Sequence, residues 1–122
     1  MQLQIVSDNT NSIQKYSENI PSVHIQNQEY KQTIALYETA IHTLDIKDVK
    51  ELNTSHLSLI LEQKPEILII GTGKTQHFIS PILYKDYIQS RIGIECMTNS
   101  AACRTYNILL SEQRKVALIL II

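Results

Sequence analysis

The sequence predicts an α/β fold: a three-layer domain with a mixed central sheet, helices on its faces and an N-terminal β-hairpin layer. Three observations carry this reading. Residues 1–46 are polar, rich in Gln and Asn, and β-like in pattern. From about residue 53 helical apolar spacing alternates with short continuous apolar runs, in the order α-β-α-β-α-β. The chain then closes on Val116-Ala117-Leu118-Ile119-Leu120-Ile121-Ile122, a run suited to a strand covered on both faces. The 122 residues form one domain, 1–122, long enough to bury a single core without staples.

The early elements follow from alternation. Ile13, Lys15 and Tyr16 sit in a short strand. Val23 and Ile25 alternate with His24 and Gln26, which suits a half-buried strand, and Asn27-Gln28 is a hairpin turn without the usual glycine. Tyr30 to Leu36 and Thr39 to Leu44 continue as strands or as one long bent strand.

The later elements follow from capping and period. Asn53 or Thr54 caps a helix with Leu57, Ile60 and Leu61 on its apolar face, and Pro65 stops it. Ile67-Leu68-Ile69-Ile70 is a buried strand, and Gly71-Thr72-Gly73-Lys74 is the loop that leaves it. Ser80-Pro81 starts a helix to about Ser90, with Ile82, Leu83, Tyr87 and Ile88 toward the core. Gly93 ends the connection. Ile94 and Cys96 point to one side of the next strand, Glu95 and Met97 to the other. A helix from about Ser100 to Ser111 presents Ala102, Tyr106, Leu109 and Leu110 at core spacing, and Arg114-Lys115 lead into the last strand.

Composition excludes several functions. The formal charge is −1 with no basic block, so no face can neutralise many phosphates, and nucleic acid is not an expected partner. No stretch of about 18 apolar residues exists, so no membrane span is expected. Residues 1–8 lack both a secretory pattern and an Arg-rich presequence pattern, which implies a cytoplasmic protein from a prokaryote. Two cysteines make no disulfide framework.

Candidate chemistry gathers around two loops. Gly71-Thr72-Gly73-Lys74 follows a buried strand, where backbone N–H groups can cradle an anion and Lys74 can neutralise it. It is neither a P-loop nor a dinucleotide fingerprint, because the Gly-Lys-Ser/Thr element and a third glycine are missing. The competing reading is a tight strand-exit loop. Asn99 and Ser100 begin a helix, whose dipole and N–H groups favour an anion, and Arg104 lies one turn in. If the strands at 67–70 and 94–97 are parallel neighbours, Gly73, Lys74, Asn99, Ser100 and Arg104 share one crevice. The competing role for Arg104 is an ion pair with Glu95, Glu112 or another acid.

Cys96 and Cys103 are not spaced as a redox pair, and no histidine follows at metal spacing. Cys96 reads as core filling. Cys103 reads either as a buried inert thiol or as a nucleophile activated by the helix start and Arg104, with His77 as a spatial partner. His24, His42, His56 and His77 form no metal pattern. No cofactor or metal is expected, and Tyr84 and Tyr87 read as packing.

Residues Pro65 to Ile122 resemble a small family of uncharacterised domains whose eukaryotic relatives include the mitochondrial respiratory complex I assembly factor 3 and an adipogenesis-associated protein. The matching pieces are Pro65 to Gly73, Gly93 to Met97, Ala101 to Leu109, and Glu112 with Arg114. The resemblance implies the three-layer fold given above, and it implies no catalytic residues, because the family has no agreed activity. The chain departs from the pattern in reading Thr98-Asn99-Ser100 where relatives usually have Asp-Thr-Gly, in lacking tryptophan, and in having Gln113 where relatives often have glycine. The function this implies is a non-catalytic accessory or assembly-type protein acting through protein contacts. The alternatives are a small-anion-binding protein or enzyme using the crevice of Gly71, Thr72, Gly73, Lys74, Asn99, Ser100, Cys103 and Arg104, and a homo-oligomer with a structural role.

Overall fold

The structure, a computed structural model, describes residues 11–122, so the reading of residues 1–8 lies outside the described residues. The chain runs through β1 (Lys15–Ser17), β2 (Ser22–Ile25), β3 (Gln28–Tyr30), β4 (Ile34–Tyr37), β5 (Ala40–Thr43) and a 3-10 turn (Val49–Glu51). It continues through α1 (Thr54–Leu61), β6 (Ile67–Gly71), a longer 3-10 segment (Pro81–Ser90), β7 (Gly93–Met97), α2 (Asn99–Ser111) and β8 (Val116–Leu120). Strands β1-β2-β3 form an antiparallel meander, and the main sheet has the order β5-β4-β8-β6-β7. Strand β8 is antiparallel to β4 on one side and parallel to β6 on the other, and β6 is parallel to β7, so the mixed sheet predicted from the sequence is the one observed.

The apolar runs of β6 and β8 are unbroken because both faces of the sheet are covered. Val116, Leu118 and Leu120 pack with Ile69 against α2 and the meander, through Ala102, Cys103, Tyr106, Val23 and Ile25. Ala117, Ile119 and Ile121 pack with Leu68 and Ile70 against Leu57, Ile60 and Leu61 of α1 and against Leu44, Ile46 and Leu52. Period-two alternation sends successive side chains to opposite faces, which is why each strand feeds two cores. The meander therefore shares a layer with α2, while α1 and the 3-10 segments make the other.

Local chemistry sets the boundaries. The Asn53 side chain accepts from His56 N–H (3.1 Å) while His56 Nδ1 accepts from Asn53 N–H (3.1 Å), a capping box with histidine in the place usually taken by Glu or Gln. Leu57, Ile60 and Leu61 are buried, as the spacing predicts. The β2–β3 hairpin turns one residue earlier than expected: Gln26 (φ 53°) and Asn27 (φ 65°) are both left-handed, as a two-residue type I′ turn requires.

The expected helix at 81–90 is instead a 3-10 segment broken at Tyr84 (φ −127°, ψ 27°). At three residues per turn Tyr84 and Tyr87 line up and, with Leu83, lie against the α1-side core. Ile82 and Ile88, expected to be buried, are 71% and 56% exposed. Left-handed Arg91 (φ 59°) ends the segment, and Gly93 opens β7 rather than ending the connection. No helix of the described residues is long and apolar enough to cross a membrane.

Leu118 lies on β8 at the centre of the sheet and is wholly buried. Leu118→Ala is expected to lower the free energy of unfolding by about 2–5 kcal/mol, read from the midpoint shift in urea at unchanged m-value.

Candidate functional site

Because β6 and β7 are parallel neighbours, the loops that follow them leave from the same end of the sheet. The structure thus brings the 71–74 loop to the start of α2, as the sequence anticipates. The contacts between them are close and specific. Asn99 N–H donates to the Gly73 carbonyl (2.8 Å), Gly73 N–H donates to Asn99 Oδ1 (2.9 Å), and Thr72 N–H donates to the Met97 carbonyl (2.9 Å).

Asn99 is 2% exposed, and its remaining polar group also points inward. Its Nδ2 donates to the Ile121 carbonyl (2.8 Å) and to the Tyr16 hydroxyl (3.1 Å). One carboxamide therefore links the β6 exit, the end of β8, the meander and α2. Gly71 makes room for it: a Cβ there would lie 2.5 Å from Asn99 Oδ1 and 2.6 Å from Leu120 Cδ1. Gly73 has φ 100°, a left-handed conformation that favours glycine.

Thr72 is buried, and its hydroxyl donates to the Thr75 carbonyl (2.8 Å) and accepts from His77 N–H (3.1 Å). Thr98, first of the three residues that depart from the family pattern, is the N-cap of α2. Its Oγ accepts from Ala101 N–H (3.4 Å), a job Asp also does. Two of the first three N–H groups of α2 are thus already engaged by Gly73 and Thr98.

The charged members stand outside this junction. Lys74 and Arg104 are exposed, and Arg104 Nη1 donates to Ser100 Oγ (3.0 Å) along one turn of helix. Among the described residues Arg104 has no carboxylate partner; the ion pair there is Arg114–Glu66, and His24 Nε2 lies 4.0 Å from Glu29 Oε2. Arg114 Nε donates to Glu66 Oε1 at 2.7 Å, and this hydrogen bond holds the Glu66 carboxyl below the usual carboxylate range. Two residues of the resembling pattern, 48 apart in sequence, therefore clamp the start of β6 to the approach to β8.

The cysteines are separated by the sheet. Cys96 sits on the α1 side and Cys103 on the meander side. Cys103 is buried, and desolvation pushes its thiol up to about 12 against the smaller opposing pull of Arg104. Its burial places it among packing residues, with the neighbouring guanidinium too exposed to activate it. The His77 side chain is exposed on the loop, while Cys103 packs within the core facing the meander. Among the described residues no three His, Cys, Asp or Glu side chains gather as a metal site.

Sequence reasoning missed Tyr16 and Ile121 as members of this junction, because their link to Asn99 spans 83 and 22 residues. It also missed a surface groove of about 340 Å³ between the 3-10 turn and residues 77–83. The one signal for the groove was Phe78, the only phenylalanine of the chain, in a loop outside every apolar period.

Asn99→Ala removes the partners of the part-buried Gly73 N–H and the buried Ile121 carbonyl. It is expected to cost about 2–4 kcal/mol of stability in urea unfolding, with early hydrogen exchange at Gly73. Cys103 sets a pH dependence. Its folded-state proton is held more tightly than its unfolded one, so its contribution is complete below pH 9 and falls away between about pH 9 and about 12. Unfolding compared with Cys103→Ala over that range is expected to show a steeper loss with the cysteine present, above the loss that burial of Cys96 and Tyr106 causes in both chains, and iodoacetamide is expected to label Cys103 only on unfolding.

Known proteins resemble the chain in sequence and in fold. The chain is 34% identical over 95 residues to the "13 kDa major membrane protein" of Francisella tularensis subsp. holarctica, covering 76% of this chain and 77% of that one. It is 34% identical over 89 residues to "NADH dehydrogenase [ubiquinone] 1 alpha subcomplex assembly factor 3" of Xenopus tropicalis. That match covers 71% of this chain and 49% of the assembly factor, so the chain spans about half of the longer protein. A crystal structure of a Bordetella parapertussis protein superposes with a TM-score of 0.83 at 26% identity, covering 92% of this chain and 95% of that one. The model of the family described as "Protein of unknown function (DUF498/DUF598)" matches residues 13–121. That span takes in both the Asn99 junction and the Glu66–Arg114 clamp, and the chain belongs to this DUF498/DUF598 family.

Proposed function

We propose that the chain is a non-catalytic accessory protein of the assembly type, acting through protein contacts in the cytoplasm. The observation that carries this reading is the inward engagement of the crevice. Asn99 and Thr72 use their side chains on the protein's own backbone and on Tyr16, and Cys103 is buried with its thiol protonated at neutral pH. A site built for turnover keeps such groups within reach of a substrate. Large apolar side chains lie on the surface instead: Phe78 is 82% exposed and Ile82 is 71% exposed. The assembly-factor name of the Xenopus relative supports the same role, and the membrane-protein name of the Francisella relative is met by a partner that is itself membrane-bound.

A second reading has one observation in its favour. Arg104 and Lys74 are exposed beside the start of α2, and Arg104 lacks a carboxylate partner among the described residues. An anion held there, at a helix start with a guanidinium, fits general electrostatics.

Gene deletion in the native host, followed by native gels of its protein complexes, separates the two. Loss of at least one complex is expected, with rescue by the wild-type chain, by Cys103→Ala and by a Lys74→Ala/Arg104→Ala variant. Rescue that fails only with the last variant, together with saturable phosphate binding to the purified wild type, favours the anion. Unchanged complexes, together with turnover of a metabolite by the purified chain, overturn the accessory reading.

A further inference from the structure

Phe78, the most exposed large apolar residue among the described residues, borders a groove. The groove between the 3-10 turn Val49–Glu51 and residues 77–83 is walled by Val49, Leu52, Ile79 and Leu83. Leu52 belongs to the α1-side core, and the other three pack against it, so the groove floor is continuous with the rigid interior. Phe78 stands on the rim, 82% exposed. The loop that carries it is fixed at two points, by His77 N–H on Thr72 Oγ1 (3.1 Å) and by Gln76 Nε2 on the Cys96 carbonyl (2.8 Å).

The charge of the lining is one-sided. Lys50 and His77 are its ionisable side chains, and no described carboxylate lines it. The nearby acids are turned onto their own turn. Asp48 Oδ1 accepts from Lys50 N–H (2.8 Å), and Glu51 Oε1 accepts from Lys47 N–H (2.7 Å) and Asp48 N–H (3.1 Å). The capping box that shapes the turn thus removes the carboxylates from the groove and leaves the Lys50 side chain outside it.

We propose that this groove docks a segment of a partner protein that inserts one bulky apolar side chain between Leu83 and Phe78 and sets a carboxylate beside Lys50. Apolar burial in a small pocket supplies affinity, and the charge pair supplies orientation and selection of partner. The shape and charge favour this occupant over two others. Interfacial lipid binding draws on an amphipathic helix with a Lys- and Arg-rich polar face, whereas the apolar walls here line a groove whose one lysine or arginine is Lys50. A second copy that seated its own Phe78 in the groove would bring residues 75–82, which carry no carboxylate for Lys50. The proposal rests on the accessory reading and names where the contact is made and by what chemistry.

The test uses the whole chain as bait for a phage-displayed random peptide library, with selected peptides then synthesised and titrated. Selected peptides are expected to pair Leu, Ile, Phe or Trp with Asp or Glu within about one helical turn. Affinity is expected to fall about tenfold or more with Phe78→Ser and with Lys50→Glu, each shown folded by circular dichroism. It should be unaltered by Glu29→Lys on the far meander, and partly restored to Lys50→Glu by peptides whose acid is changed to lysine. Several results overturn the proposal: no selected peptide, selection without acidic residues, or binding indifferent to Lys50→Glu. So do Phe78-dependent binding to vesicles of equal parts phosphatidylcholine and phosphatidylglycerol, and a dimer in sedimentation equilibrium that Phe78→Ser dissociates. Returning the Lys50→Glu/Phe78→Ser chain to the deletion strain separates the two levels. Full rescue of the complexes overturns the groove and leaves the accessory reading standing, whereas complexes that never depended on the gene overturn the reading beneath it.

Discussion

The carboxamide of Asn99 is the contact on which the rest of the structure depends. It binds the backbone of Gly73 on one side and the carbonyl of Ile121 and the hydroxyl of Tyr16 on the other. These groups come from the β6 exit, the end of β8 and the meander, and Asn99 itself starts α2. Removed from water, such hydrogen bonds are stronger than on a surface, and each becomes costly if its partner is lost. Gly71 has to lack a side chain for this group to fit, and Gly73 has to turn left-handed to meet it. The glycines of the loop, which resemble a phosphate cradle in sequence, are shaped in this protein around a side chain of the protein itself.

Around that junction the sheet divides the apolar side chains into two cores. Strand β8 is the seam where antiparallel pairing with β4 gives way to parallel pairing with β6, and it contributes alternately to both faces. Its position makes the two layers interdependent: α2 and the meander on one face, α1 and the 3-10 segments on the other. Thr72, Asn99 and Cys103 fall inside this arrangement, while Lys74, His77, Arg104, Phe78 and Ile82 fall outside it.

Much of this was legible in the sequence, because hydrophobic period is a local signal. The double-sided runs at 67–70 and 116–122, the α1 stripe of Leu57, Ile60 and Leu61, and the opposite facing of Cys96 and Met97 on β7 all emerge as expected. The 81–90 segment does not. Its isoleucines at 82 and 88 look like a helical stripe, yet the segment is 3-10 and broken at Tyr84, and both side chains are exposed. At the candidate site, the convergence of the two loops was legible from strand order. The inward use of Asn99 was not, because its partners lie far away in the chain. The groove was illegible for a similar reason: its walls come from 49–52 and 77–83, and only folding brings these together.

The turns have a consequence of their own. Six described residues other than glycine hold left-handed backbone: Gln26, Asn27, Glu38, Lys64, Arg91 and Gln113. The clearest is Gln113, which follows α2 in a Schellman arrangement, with Gln113 N–H on the Leu110 carbonyl (3.0 Å) and Arg114 N–H on the Leu109 carbonyl (3.0 Å). This is the position where relatives often carry glycine, and the backbone explains why. Each side chain held in that conformation costs roughly 1 kcal/mol. Glycine at such a corner would relieve that cost, so the chain carries an unclaimed margin of stability in its connections. Variation in this family is therefore expected to be freest at the corners and narrowest at Gly71.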